Sequence, residues 1–365
     1  MIDLSEISAP ALWPAAGPPT LTDGGIAVLN LHAQIDGLEG HSTSAEAATL
    51  IDLLILRGLI LGRISDYERA AQLADCQIAA ATTDAAAYMA RARTRAVFHR
   101  FAEALDDLDH AERFLPGDEA ARRDRAAILQ ALGCYDEALV TYGAAADPGE
   151  QFEQAAALAG LWAERGEADA AQRSYLQSLR SYRGVSPFPL ALLDFQLGVM
   201  WMRHERLKEA RTCFEAAIRR VPAYAAAQGH LAEVDADLGV PEAAIARLTP
   251  LAISSDDPDY AAQLARVLGE TGCGEESIAW RRTAANRYDE LIATYPAAFA
   301  DHAAEFWLGA GNDPQKGLRL AEFNLRVRQT HRAYDLLAQA LEANSAGAAS
   351  ARNSGVYLIR AGIQP

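Results

Sequence analysis

Lysine is almost missing from this 365-residue chain: of its 33 basic residues, only Lys208 and Lys316 are lysines. We read that scarcity as the base composition of a GC-rich genome rather than as chemistry. Cysteine is scarce as well. Cys76, Cys134, Cys213 and Cys273 stand far apart, with no C-x-x-C and no Cys/His cluster of zinc spacing. They read as small buried residues in a reducing compartment. Aromatics make up only 7% of the residues, which argues against a β-sandwich or barrel. No long apolar run exists: the stretch Leu50 to Leu61 carries Asp52 and Arg57 and is too short to span a bilayer. Met1 to Pro14 lacks a basic n-region and an apolar h-region, so it does not read as a signal peptide. A bacterial cytoplasm is the expected location, with the periplasm as the alternative if a leader precedes the chain. Net positive charge is lacking too. At −16, the chain is poorly suited to phosphate neutralisation, so nucleic acid and anionic membrane are not expected partners. A basic partner would be steered toward its acidic outer face.

Catalytic signatures are also wanting. There is no phosphate loop, no G-x-S-x-G elbow and no H-E-x-x-H. Gly269, Gly272 and Gly274 follow no strand, so they are not a dinucleotide fingerprint. His302 and Glu305 are one helical turn apart, but no second pair follows to complete a metal site. Runs such as Ser254-Ser255-Asp256-Asp257 fit helix N-termini, where carboxylates cap and complement the dipole. No catalytic residue, metal or cofactor is therefore expected.

What the chain does have is alanine and a repeat. Half its residues are hydrophobic and 22% charged, a folded composition rich in the best helix former. Tyr67, Phe101 and Tyr135 recur at a constant step, as do Ala70, Ala104 and Ala138, and the small residues Gly58, Ala92 and Ala126. The step is about 34 residues, the period of a helix-turn-helix repeat. The register runs on with slips through Ala171, Ala210 and Ala244, and Gly or Ala also stands at 159, 198, 232 and 265. Trp162, Trp201, Trp280 and Trp307 fall inside these helices and read as core; Trp13 lies outside the repeat. Two antiparallel helices cannot bury their apolar faces alone, so such units stack into a solenoid.

The pattern of a small residue in helix A, a turn, an aromatic, an alanine in helix B and a closing proline at Pro116, Pro222 or Pro296 resembles the tetratricopeptide repeat family. The resemblance implies an all-α, right-handed α-solenoid of about eight repeats, near residues 51–84, 85–118, 119–151, 152–185, 191–224, 225–257, 258–295 and 298–330. Residues 1–43 are expected to form an irregular N-terminal cap and 331–365 a degenerate C-terminal cap, with Arg332 to Leu341 and Ala348 to Arg360 as its two helices. About eight pairs would approach one superhelical turn. The resemblance also implies a concave groove lined by A helices, where Arg93, Arg123, Asp124, Gln130, Gln196, Arg203, His230, Glu233, Gln263, Arg266 and His302 would face a partner. The arginines among them suit an acidic or C-terminal peptide segment, or else pair with Asp124, Glu233 and their neighbours. The Lys/Asn clamp of chaperone-tail adaptors is missing, and residues 1–43 hold no helix-turn-helix for DNA. The function expected is a non-catalytic protein- or peptide-binding scaffold. A helix-repeat enzyme or small-molecule binder with a pocket near Arg203, His230 and Arg266, or an obligate subunit of a larger complex, are the alternatives.

Overall fold

The computed structural model describes residues 21–39, 44–80, 83–144 and 151–360, which form eighteen helices and no strand. A first helix, α1 (Gly24–Leu38), precedes eight hairpins. These are α2 (Ser44–Leu61) with α3 (Ile64–Ala80), α4 (Ala85–Val97) with α5 (Phe101–Phe114), α6 (Glu119–Leu132) with α7 (Tyr135–Ala144), and α8 (Gln151–Glu164) with α9 (Ala168–Ser181). They continue as α10 (Phe188–Arg203) with α11 (Leu207–Arg220), α12 (Ala225–Asp237) with α13 (Pro241–Ser254), α14 (Pro258–Glu270) with α15 (Gly274–Thr294), and α16 (Pro296–Leu308) with α17 (Pro314–Val327). Helix α18 (His331–Arg360) ends the array.

Each hairpin turn is short, and each holds one residue in the left-handed region: Gly62, His99, Gly133, Gly166, Glu205, Gly239, Gly272 and Asn312, with φ between 53° and 90°. A left-handed residue after helix A lets the chain reverse without leaving carbonyls stranded. The repeated alanines explain how closely the helices then pack. Ala70, Ala104, Ala138, Ala171, Ala210 and Ala244 are all 0% exposed. A Cβ on Gly58 would lie 2.7 Å from the Tyr67 ring, and one on Gly198 would lie 2.6 Å from the Phe214 ring. Trp201 is fully buried under the Arg206 guanidinium, 4.6 Å from the ring centre.

Arginine ties the helices of a hairpin together. Arg57 Nε and Nη2 donate to the two carboxylate oxygens of Asp66 at 2.8 and 2.6 Å, and Arg91 grips Asp107 in the same way at 3.0 and 2.7 Å. Buried Asp194 and Asp235 take Arg220 and Arg247. Such two-pronged contacts need a planar fork, which lysine lacks. The arginine bias is thus partly structural chemistry, contrary to the reading from composition alone.

Three other expectations change. Residues 24–38 are helical rather than irregular; residues 1–20, including Trp13, lie outside the described residues. Asp23 caps α1 through Oδ1, which accepts from Gly25 and Ile26 N–H. Ala27, Leu31 and Ile35 then bury against Leu50, Ile51 and Leu54 of α2 and against Phe188 and Tyr224. Gly24 touches the Arg220 carbonyl so closely that a Cβ would sit 2.1 Å from its oxygen. Tertiary packing overrides the weak local propensity of the Gly-Gly pair. The C-terminal segment is one helix, α18, not two. Among the cysteines only Cys213 is buried, while Cys76 and Cys273 are exposed.

The curvature is also tighter than one turn per eight pairs. The turn of the first hairpin rests on the α13–α14 junction: Asp256 accepts from Ile64 and Ser65 N–H at 2.6 and 2.9 Å, and Ser255 Oγ donates to the Gly62 carbonyl. The second turn rests on the α15–α16 junction, where Phe98 stacks on Tyr295 at 4.1 Å and His99 Nδ1 lies 2.9 Å from the Ala297 carbonyl oxygen. The third rests on the α17–α18 junction, where Gln329 N–H donates to the Leu132 carbonyl at 3.0 Å. The solenoid therefore closes on itself after about six hairpins along a seam of three junctions.

Candidate functional site

Closure turns the concave face into a lumen. Near α2 the lumen is filled, because α1, α2 and α12 pack together through Ile51, Leu54 and Tyr224. Farther along, two cavities remain, of about 370 and 320 Å³. Arg328 and Arg332, from the α17–α18 junction, line both.

The first cavity presents Gln130, Gln196, Arg203, Glu164 and Tyr142. Arg203 Nη1 donates to Glu164 at 2.7 Å and remains 38% exposed at its side chain. The second presents His230, Gln263, His302, Asp257, Asp259 and Asp301, walled by Tyr67, Phe98, Tyr260 and Phe299. His302 keeps 42% of its side-chain surface open to water where it lines this cavity, which is therefore solvated.

Six of the residues expected in the groove thus line the lumen: Gln130, Gln196, Arg203, His230, Gln263 and His302. The others line neither cavity. Arg93 bridges Asp52 and Asp124 at 3.0 and 2.8 Å. Arg266 pairs with Glu270 at 3.3 Å and approaches Asp237 at 3.9 Å. Glu233 faces His230 Nδ1 at 3.3 Å, and Arg123 is half-buried on α6.

The electrostatics follow from enclosure. Burial, then the neighbouring Asp259, raises the Asp257 carboxyl to about 6. Burial opposes ionisation of Asp301 as well, but His302, Arg332 and Arg328 hold its carboxyl well below the usual range. Asp301 in turn raises the His302 imidazole. Burial and the nearby Arg328 guanidinium push His99 down to about 4, so its ring is neutral where it meets the Ala297 carbonyl. A neutral ring must carry its proton on Nδ1 to donate there. His99 also holds a left-handed φ of 53°, which costs a non-glycine residue about 1 kcal/mol; the seam contact offsets it. Among the described residues no group of three or more His, Cys, Asp or Glu side chains converges as a metal would require, and no helix is long and apolar enough to cross a membrane.

Sequence reasoning missed Tyr67, His99, Asp257, Asp259, Asp301, Arg328 and Arg332 as lumen residues. Tyr67 and His99 belong to turn regions that face the lumen only because the seam closes. The run Ser254 to Asp257 was assigned to a helix N-terminus, and Asp257 does cap, accepting from Asp259 N–H at 3.0 Å. The acceptor of α3, Asp256, is 192 residues away in sequence, a pairing no local pattern signals.

No protein-family model matches the chain, and no curated protein is similar to it in sequence. Solved structures share its fold. The Cut9–Hcn1 hetero-tetramer of the APC/C is 15% identical over 85% of this chain, with a TM-score of 0.51; this chain spans only 59% of that one. An IFIT1 monomeric mutant with m7Gppp-AAAA is 16% identical over 82% of this chain and 72% of its own, with a TM-score of 0.54. The human IFIT1 dimer with PPP-AAAA is 17% identical over 76% of this chain and 69% of its own, with a TM-score of 0.50. The chain shares with them the fold of an α-solenoid of helix hairpins. At these identities the likeness is one of fold.

Proposed function

We propose that the chain is a non-catalytic scaffold that binds a protein or peptide segment in its lumen. One observation carries the reading. The closed solenoid keeps a solvated interior lined with polar groups, Gln130, Gln196 and Arg203 among them, while the concave face near α2 is sealed with apolar side chains. Extended peptides are recognised by such amides and guanidinia through their backbone and carboxylates. Arg203 gives Nη1 to Glu164 but stays 38% exposed in the first cavity, so its remaining donors suit an acidic or C-terminal segment there. The capped oligonucleotide of the IFIT1 structure is a polyanion, and Asp257, Asp259 and Asp301 in the second cavity oppose such a ligand here. The test is fluorescence anisotropy with a panel of labelled extended peptides, using the intact chain beside a Gln196→Ala/Arg203→Ala variant. We expect at least one peptide to lose about tenfold in affinity in the variant. Equal affinities in both proteins would remove the lumen as the binding surface, and no binding by any peptide would overturn the scaffold reading.

A further inference from the structure

A closed ring parts first along its weakest cut, and here that cut is the seam. Neighbouring hairpins are joined by whole helix faces; Tyr175, Leu197, Trp201 and Phe214 belong to one buried core that runs from α8 to α12. The seam joins turns and junctions instead. Its first contact is the Asp256 carboxylate with Ile64 and Ser65 N–H, beside Ser255 Oγ with the Gly62 carbonyl. Its second is the Phe98–Tyr295 stack and His99 against the Ala297 carbonyl, with Glu68 reaching the Tyr295 hydroxyl. Its third is the Gln329 N–H with the Leu132 carbonyl, the edge contact of Tyr135 and His331, and Val327 against the α4–α6 core. Hydrogen bonds exchange for bonds to water at little net cost, whereas parting helix faces returns apolar surface to water. The ion pairs beside the seam do not tie it shut. Arg328 and Arg332 pair with Asp301 and Glu305 of α16, on their own flank, and can withdraw with them.

The flanks of the seam are also the walls of the lumen. Arg328, Thr330 and Arg332 line the first cavity; Phe98 and His99 on one flank, with Phe299 and Asp301 on the other, line the second. Parting the seam therefore opens both. The end near α2 offers no such way in, because Ile51, Leu54 and Tyr224 fill it. That packing fixes the first hairpin to α12 and supplies a hinge, so the flanks separate least at the first junction and most at the third. We infer that the seam is the gate of the lumen, parting along its three junctions while every hairpin stays folded, and that the occupant passes through it. The gate rests on the scaffold reading for its cargo, but not for its motion. Coupling is its signature. The open state relieves strain placed at any junction, so a change at the third must raise the open population seen at the first.

The experiment is native-state hydrogen exchange on the full chain without ligand, read at single amides by NMR. Gln329 reports on the third junction, Ile64 and Ser65 on the first. Leu197, buried in the middle of α10, reports on unfolding of the hairpins themselves. We expect the three seam amides to be at least about tenfold less protected than Leu197. In Gly133→Ala, which strains the third junction, all three should lose at least about fivefold more protection, with Leu197 unchanged. In Gly166→Ala, which touches nothing in the seam, none should shift relative to Leu197. Asp256→Ala is the reciprocal change at the first junction and should speed exchange at Gln329; it stands alone if circular dichroism shows Gly133→Ala unfolded. A response confined to the altered junction would overturn the gate, as would seam amides protected as well as Leu197. The labelled peptide panel then tests the cargo. Any peptide that binds should associate at least about fivefold faster with Gly133→Ala than with Gly166→Ala. An equal association rate would overturn the seam as the entry route and leave the scaffold standing. Coupled exchange with no peptide bound would overturn the scaffold and leave the moving seam.

Discussion

The seam can be weighed with two glycines that differ in one respect. Gly133 and Gly166 occupy equivalent hairpin turns, with φ of 90° and 76°. Alanine at either position must adopt a left-handed backbone, at a cost of about 1–2 kcal/mol. At Gly166 nothing else happens, since no atom lies within 4 Å of the added Cβ. At Gly133 the Cβ would stand 2.3 Å from the Gln329 carbonyl oxygen and 2.8 Å from its carbon. Those are backbone atoms and cannot swing aside, so the α17–α18 junction must move off the turn. The Gln329 N–H bond to the Leu132 carbonyl goes with it, a loss of about 0.5–1.5 kcal/mol. The edge contact of Tyr135 with His331, at 5.7 Å between ring centres, weakens by a comparable amount. Gly166→Ala should therefore cost about 1–2 kcal/mol and Gly133→Ala about 2–5 kcal/mol. Repeat arrays unfold in parts, so a single denaturation midpoint is a blunt instrument. Hydrogen exchange is sharper: the Gln329 amide should lose protection in Gly133→Ala and keep it in Gly166→Ala. Equal exchange at Gln329 in both variants, with equal urea midpoints, would refute the seam.

Other outcomes follow from the same geometry. Asp256→Ala removes the acceptors for Ile64 and Ser65 N–H and should destabilise the chain by about 1–2 kcal/mol in urea titration, while Asp256→Asn, whose one amide oxygen can serve only one of the two N–H groups, should fall between the intact chain and Asp256→Ala. Gly198→Ala drives a Cβ to 2.6 Å from the Phe214 ring and should cost about 1–3 kcal/mol; combining it with Phe214→Leu should recover part of the loss in a double-mutant cycle. Burial raises Asp257 from 3.8 to about 6, so the native state holds that proton more tightly than the unfolded chain does. Its contribution to stability is therefore present at low pH and lost as pH rises through about 6. In melts across pH 4 to 7, roughly the window the raised carboxyl titrates in, Asp257→Asn should show a flatter profile than the intact chain.

The repeat was legible because each element of it is local. A small residue in helix A, a ring in helix B and a left-handed turn all fall within one 34-residue period, and packing each hairpin uses only its own residues and the next. The same reasoning placed Gln130 of α6 and Gln196 and Arg203 of α10 on inward positions of A helices, and these do line one cavity. Two things were not legible. Helix α1 is held by contacts to Arg220, Phe188 and Tyr224, far along the chain, so its own glycines gave the wrong impression. Asp257 and Asp259 lie on an ordinary helix-capping segment, and only closure of the solenoid brings them to the lumen. A pattern can show that Asp256 and Asp257 begin a helix; it cannot show that Asp256 also caps α3.

That second role changes what kind of object the array is. An open solenoid is quasi-one-dimensional: each hairpin feels its neighbours, and either end frays alone. Here the turns of the first three hairpins are bound to the last three junctions, so the first hairpins cannot loosen without freeing the last ones. The left-handed residues record the division. Gly62 and Gly133 sit against the α13–α14 and α17–α18 junctions, and His99 accepts a strained backbone to reach the Ala297 carbonyl. Gly166, Gly239 and Gly272, outside the seam, face open space. Closure of this kind has a direct bearing on binding. A peptide that uses the lumen must enter at an end or part the seam, and parting it exposes Asp256, His99 and the Gln329 amide together. Binding through the seam would raise hydrogen exchange at Ile64, Ser65 and Gln329 during association, whereas entry from an end would leave these amides protected throughout.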